Sequence, residues 1–466
     1  MEKPRSSVVE QLRPLFRPRT VAVVGASRKP EKIGYQVVRN LMEGGFPRDR
    51  IFPINPYADE ILGLKAYPSV KDVPEEVDLA VICVPARIVF DVVRDCGEKG
   101  VKAIAMITAG FGEVGNVEEE RRLVELVRSY GMRLLGPNIV GVCDTVNRMN
   151  ASFCQALPPP GDIAFITQSG ALGIALVGWT IMERIGLSDL VSVGNKADVD
   201  DADLLEFFAH DPHTRAIALY IEGVKNGRRF FETARRVSKQ KPIVALKAGR
   251  SERGAAAAAS HTGALAGADR IYDAAFQQSG IIRAYTIDQL FDWCIALASQ
   301  PPPRKRPVVI VTNGGGAGVM ATDACADYGL ALEDPPDDLK NAFRQYMPPF
   351  GSTRNPIDLT GMARRDEYYG AVLTALQHSW VGAVIVLYCH TAITTPREVA
   401  DAILDAIRQA KVDKPVTVSF IGGAEADEAS DYLRQNRVPC YPTPERAVAA
   451  MGALYRRAEY LGLLRD

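Results

Sequence analysis

Val21-Ala22-Val23-Val24-Gly25-Ala26-Ser27 reads as a wholly apolar strand running straight into a tight glycine turn. Successive strand residues point to opposite faces, so a strand apolar at every position must be covered on both sides. Outward from this stretch the alternation repeats. An amphipathic segment near Gly34 to Gly44 is followed by apolar runs at Ile51 to Asn55, Leu79 to Val84 and Ala103 to Ile107, with helical periods up to Lys99 and from Glu118 to Tyr130. Apolar runs separated by helical periods predict a parallel sheet with helices on both faces, ending near Val146.

A Pro/Gly stretch, Leu157-Pro158-Pro159-Pro160-Gly161, opens a second series, with strands expected at Ile163 to Thr167, Val191 to Val193, Ala216 to Ile221 and Ile243 to Lys247. The cluster Pro301-Pro302-Pro303, in a basic patch ending at Arg306, marks a linker. A third series follows at Val308 to Thr312, Gly382 to Tyr388 and Val416 to Ile421. The expected fold is α/β throughout, with domains over 1–146, 147–300 and 301–466, which suits 466 residues at roughly 150 per domain.

Fifty-five Lys and Arg against 56 Asp and Glu leave a formal charge of -1, which removes the diffuse phosphate attraction behind non-specific nucleic-acid binding. Met1 to Arg19 lacks the apolar core of a signal peptide, and no run of about 18 apolar residues could span a bilayer. A soluble, cytoplasmic chain with no nucleic-acid or membrane partner is expected. The eight cysteines are scattered singly, several inside apolar runs, so buried thiols and no metal site are expected.

The turn after Val24 exposes amides at a helix N-terminus, a natural seat for a pyrophosphate. The dinucleotide fingerprint GxGxxG fails at Ser27 and Pro30, and the next strand ends in Ile54-Asn55-Pro56 rather than in a ribose-binding acid. A nicotinamide dehydrogenase is therefore disfavoured, leaving another nucleotide-like ligand or a plain structural turn. Arg28, Lys29 and Lys32 crowd this turn, either to meet further phosphate charge or as a solvated charge run. Gln168-Ser169-Gly170-Ala171-Leu172-Gly173 repeats the strand-to-helix turn and suits an anion or a simple cap. It is not a nucleophile elbow, because Thr167 occupies the first glycine of GxSxG.

Small residues surround one imidazole in Gly254-Ala255-Ala256-Ala257-Ala258-Ala259-Ser260-His261-Thr262-Gly263-Ala264. An imidazole keeps a free nitrogen lone pair at neutral pH and can serve as a covalent nucleophile. A phosphorylated ring needs donors around the phosphoryl oxygens, which helix N-termini supply, and an acceptor for its other nitrogen. Glu222, ending the apolar strand Ala216 to Ile221, is placed to be that acceptor. The bland alternatives are a capping histidine and an exposed strand-end carboxylate. His210 and His213 flank Asp211-Pro212 at a helix end, while His378 and His390 have no partner motif. Asn313-Gly314-Gly315-Gly316-Ala317-Gly318 lacks the ending of a P-loop, and Asn355-Pro356-Ile357-Asp358 reads as an Asx-type turn or as a crevice-closing segment.

Taken in order, eight segments resemble the NDP-forming acyl-CoA synthetases, specifically the α subunits of the ADP-forming acetate-type branch, relatives of the succinyl-CoA synthetase α subunit. They are Val24-Gly25-Ala26-Ser27, Ile82-Cys83-Val84-Pro85, Ile107-Thr108-Ala109-Gly110-Phe111, Leu135-Gly136-Pro137-Asn138, Thr167-Gln168-Ser169-Gly170, Tyr220-Ile221-Glu222-Gly223, Ser260-His261-Thr262-Gly263-Ala264 and Asn355-Pro356-Ile357-Asp358. The resemblance implies a CoA-binding Rossmann-like domain followed by two flavodoxin-like, succinyl-CoA synthetase-like domains. It implies that Gly25, Ala26, Ser27, Lys32, Asn55, Pro56, Val84, Pro85, Ile107, Thr108 and Asn138 serve coenzyme A. By the same resemblance Gln168, Ser169, Gly170 and Gly263 cradle phosphate, His261 is phosphorylated and Glu222 pairs with it. The implied reaction converts acyl-CoA, ADP and phosphate reversibly to acid, ATP and CoA through an acyl phosphate and a phosphohistidine. The three domains leave no residues for the family's ATP-grasp module, which implies a separate β subunit carrying the nucleotide and Mg2+, in an α2β2 assembly. The Ala255 to Ala259 run suits a segment that swings between sites. A competing expectation is a non-catalytic, CoA-binding regulatory protein of the same fold.

Overall fold

The computed structural model describes residues 7–262 and 268–465, with 258–262 described by their backbone alone. The chain divides into two compact units, one ending at Ala284 and the other beginning at Tyr285. The first unit carries two sheets. Strands β1 (Val21–Val24), β2 (Ile51–Ile54), β5 (Leu79–Ile82), β6 (Ala103–Met106) and β7 (Arg133–Leu135) form a parallel sheet in the order β2-β1-β5-β6-β7. A small hairpin, β3 (Glu60–Ile61) and β4 (Leu64–Lys65), stands apart from it. Every residue of β1, β2, β5 and β6 is buried, as a sheet covered on both faces requires.

The second sheet is built from β8 (Gly141–Asp144), β9 (Met149–Ser152), β10 (Pro160–Thr167), β11 (Leu187–Ser192), β12 (Ala216–Ile221), β13 (Ile243–Lys247) and β14 (Ile281–Ala284). Its order is β14-β13-β12-β10-β11-β8-β9, parallel except for the antiparallel edge made by β8 and β9. The sequence reading expected none of β8, β9 and β14, and it began the β11 strand four residues late. Gly141 onward therefore joins the second sheet, where Val142, Cys143 and Asp144 pair with Val191, Leu190 and Asp189.

In the second unit β15 (Val308–Thr312), β16 (Ile357–Asp358), β17 (Ala383–Cys389), β18 (Val416–Ile421) and β19 (Cys440–Tyr441) form a parallel sheet, β16-β15-β17-β18-β19. With the hairpin and the β8-β9 edge set aside, all three sheets share one order: second strand, first, third, fourth, fifth. That is the flavodoxin-like doubly wound order, and its ligand crevice opens between the carboxyl ends of the first and third strands. The expected doubly wound α/β fold is thus present three times.

Two features unite the first unit. Helix Val8–Phe16, closed by a capping box between Ser7 and Glu10, buries Leu12, Leu15 and Phe16 completely. Phe16 lies 4.5 Å from Phe207 and 5.3 Å from Phe208 between ring centroids, and burying such a ring contributes about 2 to 3 kcal/mol. Arg17, next along, bonds Asp189 at 2.7 Å, Asp144 at 3.1 Å and Asp211 at 3.1 Å. A backbone seam joins the sheets as well. The amides of Asn195, Ala197 and Val199 donate to the carbonyls of Pro137, Gly136 and Leu134 at 3.0, 3.0 and 3.1 Å. Gly194 (φ +50°) permits this approach, since a Cβ there would lie 2.2 Å from the Pro137 carbonyl oxygen.

Candidate functional site

A cavity of about 930 Å³ opens at the carboxyl ends of β1 and β5, where the strand order predicts it. Val24 leads into Gly25 at φ +93°, a conformation that favours glycine, and a Cβ at this position would sit 3.0 Å from the Cys83 carbonyl. The Gly25 amide donates to the Ile54 carbonyl at 3.1 Å, so β1 and β2 fix the turn. Asn55 shapes the rim: its Nδ2 donates to the Ala26 carbonyl at 2.7 Å, and its Oδ1 accepts from the Tyr57 amide at 2.8 Å. Ser27 Oγ accepts from the Lys29 amide at 3.1 Å. Lys32 is the N-cap residue of helix Ile33–Gly44 and makes no side-chain cap bond, so the helix presents its first amides at the cavity. Across the opening, Thr108 Oγ1 donates to the Val84 carbonyl at 2.7 Å.

Gly25, Ala26, Ser27, Lys32, Asn55, Pro56, Val84, Pro85, Ile107 and Thr108 all line this one cavity. Asn138 does not line it. It sits in the seam at φ +64°, its amide donating to the Thr108 carbonyl at 3.0 Å and its Nδ2 to Asn195 Oδ1 at 3.3 Å. Of the lining residues outside the expected set, Gly34 and Tyr57 shape the cavity most directly. Gly34 lets the helix touch the turn, because a Cβ on it would be 2.0 Å from the Gly25 carbonyl oxygen. The close helix-strand approach that GxGxxG achieves with its third glycine is made here nine residues after Gly25, a spacing the fingerprint does not cover. Tyr57, 87% exposed, offers a flat apolar face at the mouth.

The crevice of the second sheet gathers the other group of expected residues. Gln168 follows β10, and its Oε1 accepts from the amides of both Glu222 and Gly223, at 2.9 and 3.0 Å. Ser169 is the N-cap of the thirteen-residue helix Gly170–Met182, and its hydroxyl is not spent on the cap. Thr167 Oγ1 holds the turn instead, accepting from the Ser169 amide at 3.2 Å and donating to the Ser169 carbonyl at 3.0 Å. The first amides of the helix and its positive pole are thereby left to an anion. Glu222 is buried at the end of β12, and burial, with the Glu222 charge adding to it, pushes the Tyr220 phenol upward. On the adjacent strand Lys247 is buried with its Nζ 4.7 Å from the centre of the Tyr272 ring, and burial lowers its pKa.

His261 lies near the end of helix Glu252–Thr262, which follows β13 from the same edge of the sheet. Its side chain, and Gly263 entirely, lie outside the described residues. Sequence reading missed Lys196. Its Nζ is buried and donates to Asp201 Oδ1 and Oδ2 at 2.9 and 2.7 Å and to the Gly223 carbonyl at 2.9 Å. Asn195 beside it donates to Glu113 at 2.5 Å and Glu120 at 2.7 Å, and accepts from Asn138. Burial raises the Glu113 pKa, but the bonds from Asn195 and from the amides of Gly110 and Phe111 outweigh it and hold the carboxyl below its usual range.

Elsewhere the candidates are structural. Asn355 Nδ2 donates to the carbonyls of Val308 and Glu333, and its Oδ1 accepts from the Ile310 amide at 3.0 Å, so Asn355 completes β15. Asp358 Oδ1 accepts from the Thr360 amide at 2.8 Å, the Asx-type bond expected. Asn313 pins its glycine turn to β17 through paired bonds with the Cys389 backbone at 2.9 and 2.8 Å. His210 Nδ1 sits 2.9 Å from the Glu206 carbonyl at a helix end, and His378 Nε2 is 3.2 Å from Asp338 Oδ2. Among the described residues no three His, Cys, Asp or Glu side chains are grouped to hold a metal, and no helix is long and apolar enough to cross a membrane.

Comparison with known proteins matches three family models in succession: a CoA binding domain over residues 19–145, a succinyl-CoA ligase like flavodoxin domain over 160–297 and a ligase-CoA domain over 308–465. The chain is 54% identical over 455 residues to acetate–CoA ligase (ADP-forming) I subunit alpha of Pyrococcus furiosus, covering 96% of this chain and 98% of that one. It is 42% identical over 448 residues to the acetate–CoA ligase (ADP-forming) of Methanocaldococcus jannaschii, covering 96% of this chain and 63% of that longer protein. Among solved structures it is similar to the dinucleotide forming acetyl-coenzyme A synthetase 1 of Ca. Korarchaeum cryptofilum in complex with phosphate and ADP. That similarity has a TM-score of 0.92 at 53% identity, over 97% of this chain and 98% of the other.

Proposed function

The chain belongs to the family of α subunits of ADP-forming acetate–CoA ligases, and on that premise we propose that it carries the acyl-CoA and phosphohistidine half of such a ligase. The reaction takes acyl-CoA, ADP and phosphate to acid, ATP and CoA, reversibly. The observation that carries the reading is that ten residues assigned to coenzyme A from sequence line one cavity, while Gln168 ties the expected phosphate turn to the backbone of Glu222.

Coenzyme A is held in the cavity at β1 and β5, its phosphates against the Gly25 turn, Ser27, Lys32 and the amides opening helix Ile33–Gly44. Phosphate attacks the thioester carbonyl, the CoA thiolate leaves and an acyl phosphate forms. A nitrogen of His261 then attacks phosphorus and the carboxylate departs. Ser169, Gly170 and the pole of helix Gly170–Met182 stabilise the charge on the phosphoryl oxygens. Glu222 accepts from the other ring nitrogen, which fixes the tautomer and makes the attacking nitrogen more basic. Finally ADP takes the phosphoryl group from His261.

The nucleotide belongs on a partner, the ATP-grasp β subunit, in an α2β2 complex. The longer M. jannaschii relative extends beyond the matched region, in keeping with a fused arrangement of the same parts. Mg2+ travels with that nucleotide, where it neutralises phosphate charge. The described residues here have no cluster fitted to hold it. Transfer between the two sites requires the segment bearing His261 to move between them.

The test is to supply the complex of this chain and its partner with labelled phosphate and acetyl-CoA. An acid-labile label on this chain, lost in His261→Ala together with ATP formation, is expected. Full turnover by the alanine variant would end the proposal.

A further inference from the structure

The turn Glu222-Gly223-Val224 is fastened from three directions, by the side chains of Gln168, Tyr272 and Lys196. Gln168 accepts its first two amides. The Tyr272 hydroxyl accepts the Val224 amide at 3.3 Å, from a helix, Asp269–Ser279, that begins just beyond the histidine segment. Lys196 donates to one of its carbonyls, that of Gly223, at 2.9 Å. Its ammonium has three hydrogens and three acceptors, the other two being the oxygens of Asp201, so its position is fully determined. Lys196 is also held at φ +53°, an uncommon conformation for a residue with a side chain.

A buried lysine gripping a single backbone carbonyl is a costly way to stabilise a fold, because its charge must be desolvated and then matched by Asp201. What it does achieve is placement, since the carbonyl it holds is the one directly following Glu222. Lys196 sits in the seam too, between Asn195 and Ala197, whose amides bond Pro137 and Gly136. The lysine therefore sets the acid turn against the part of the chain that backs Thr108 in the coenzyme A cavity.

We propose that Lys196, anchored by Asp201, is a positioning residue that sets Glu222 for its partnership with the phosphorylated histidine, with Tyr272 as a second anchor. The inference rests on the reading of Glu222 and His261 given above. A misplaced carboxylate slows phosphorylation of the imidazole without weakening coenzyme A binding, because the cavity at β1 and β5 is lined by other residues.

The experiment measures pre-steady-state labelling of the αβ complex by labelled phosphate and acetyl-CoA, together with KM for acetyl-CoA, in Lys196→Met, Tyr272→Phe and each combined with Glu222→Gln. Lys196→Met is expected to slow labelling at least about tenfold with KM within about twofold of wild type, and to have little further effect once Glu222 is glutamine. Equal slowing in both backgrounds makes the lysine merely structural and overturns the proposal, as does unchanged labelling. Tyr272→Phe removes one oxygen and keeps the ring over Lys247, so it answers the question should the lysine variant fail to fold. It is expected to slow labelling about threefold, again only when Glu222 is present, and no such dependence overturns the proposal. Absence of label on wild-type protein is a different failure: it removes the phosphohistidine reading, and this inference with it.

Discussion

Replacing Gly34 by alanine would put a methyl group 2.0 Å from the Gly25 carbonyl oxygen, 2.8 Å from its carbon and 3.0 Å from the Ala26 Cα. All three atoms are backbone, so no side chain can rotate away. Helix Ile33–Gly44 must instead back off by about 1 Å, which places the change at the upper end of the roughly 1 to 3 kcal/mol typical of overpacking. The helix withdraws its first amides from the turn as it moves. Losing one charge-assisted hydrogen bond to a phosphate costs about 1.5 to 3 kcal/mol, which is a factor of about 10 to 100 in Kd. Calorimetric titration with coenzyme A and thermal unfolding with and without it would measure both effects. Gly316→Ala is the control: it lies in helix Gly315–Tyr328 with nothing within 4 Å of its Cβ, and should leave binding alone while stabilising by about 0.4 to 1 kcal/mol. A Gly34→Ala protein with wild-type Tm and coenzyme A affinity would refute the argument that this glycine lets the helix close on the phosphate turn.

Gln168→Leu strips one acceptor from two amides, those of Glu222 and Gly223, at about 1 to 3 kcal/mol for each one left unpaired. Urea unfolding should show a lower midpoint at unchanged slope, and phosphohistidine formation should slow; an unaltered midpoint would contradict the geometry. Asp144 is pushed up to about 7 by burial and by the Asp189 charge against the pull of Arg17. Its pKa is higher folded than unfolded, so its contribution to stability is complete below about pH 4 and is lost as pH climbs towards 7. Asp144→Asn has no proton to lose, and its Tm relative to wild type should rise across that window. A difference that stays flat or falls would show that Asp144 is not held protonated.

Much of the lining of the cavity at β1 and β5 could be read before any coordinates, because it is made from strand ends. Apolar runs such as Val21 to Val24 and Leu79 to Ile82 have to be buried on both faces, and in a parallel sheet their carboxyl ends open on one crevice. Residues just past them, Gly25 to Ser27 and Val84-Pro85, follow automatically. Asn138 carries the same kind of motif but is drawn into the seam by Thr108 and Asn195. Nothing local in Leu135-Gly136-Pro137-Asn138 distinguishes the two outcomes.

Periodicity and turn chemistry act over a few residues, and they suffice for most strands of three doubly wound sheets and for a glycine turn at the head of a helix. Strands β8 and β9, and the end strands β7, β14, β16 and β19, escaped them because short strands at a sheet's edge are defined by the neighbour they pair with rather than by their own pattern. The grip of Lys196 on Gly223 spans 27 positions and that of Arg17 on Asp189 spans 172. Local chain stiffness cannot transmit a preference over such separations. Residue identity alone was enough for most of the strands, the glycine turns and the carboxylate at a strand end, whereas the bonds that hold the backbone of its turn, from Gln168, Tyr272 and Lys196, join groups that become neighbours only once the sheets have packed.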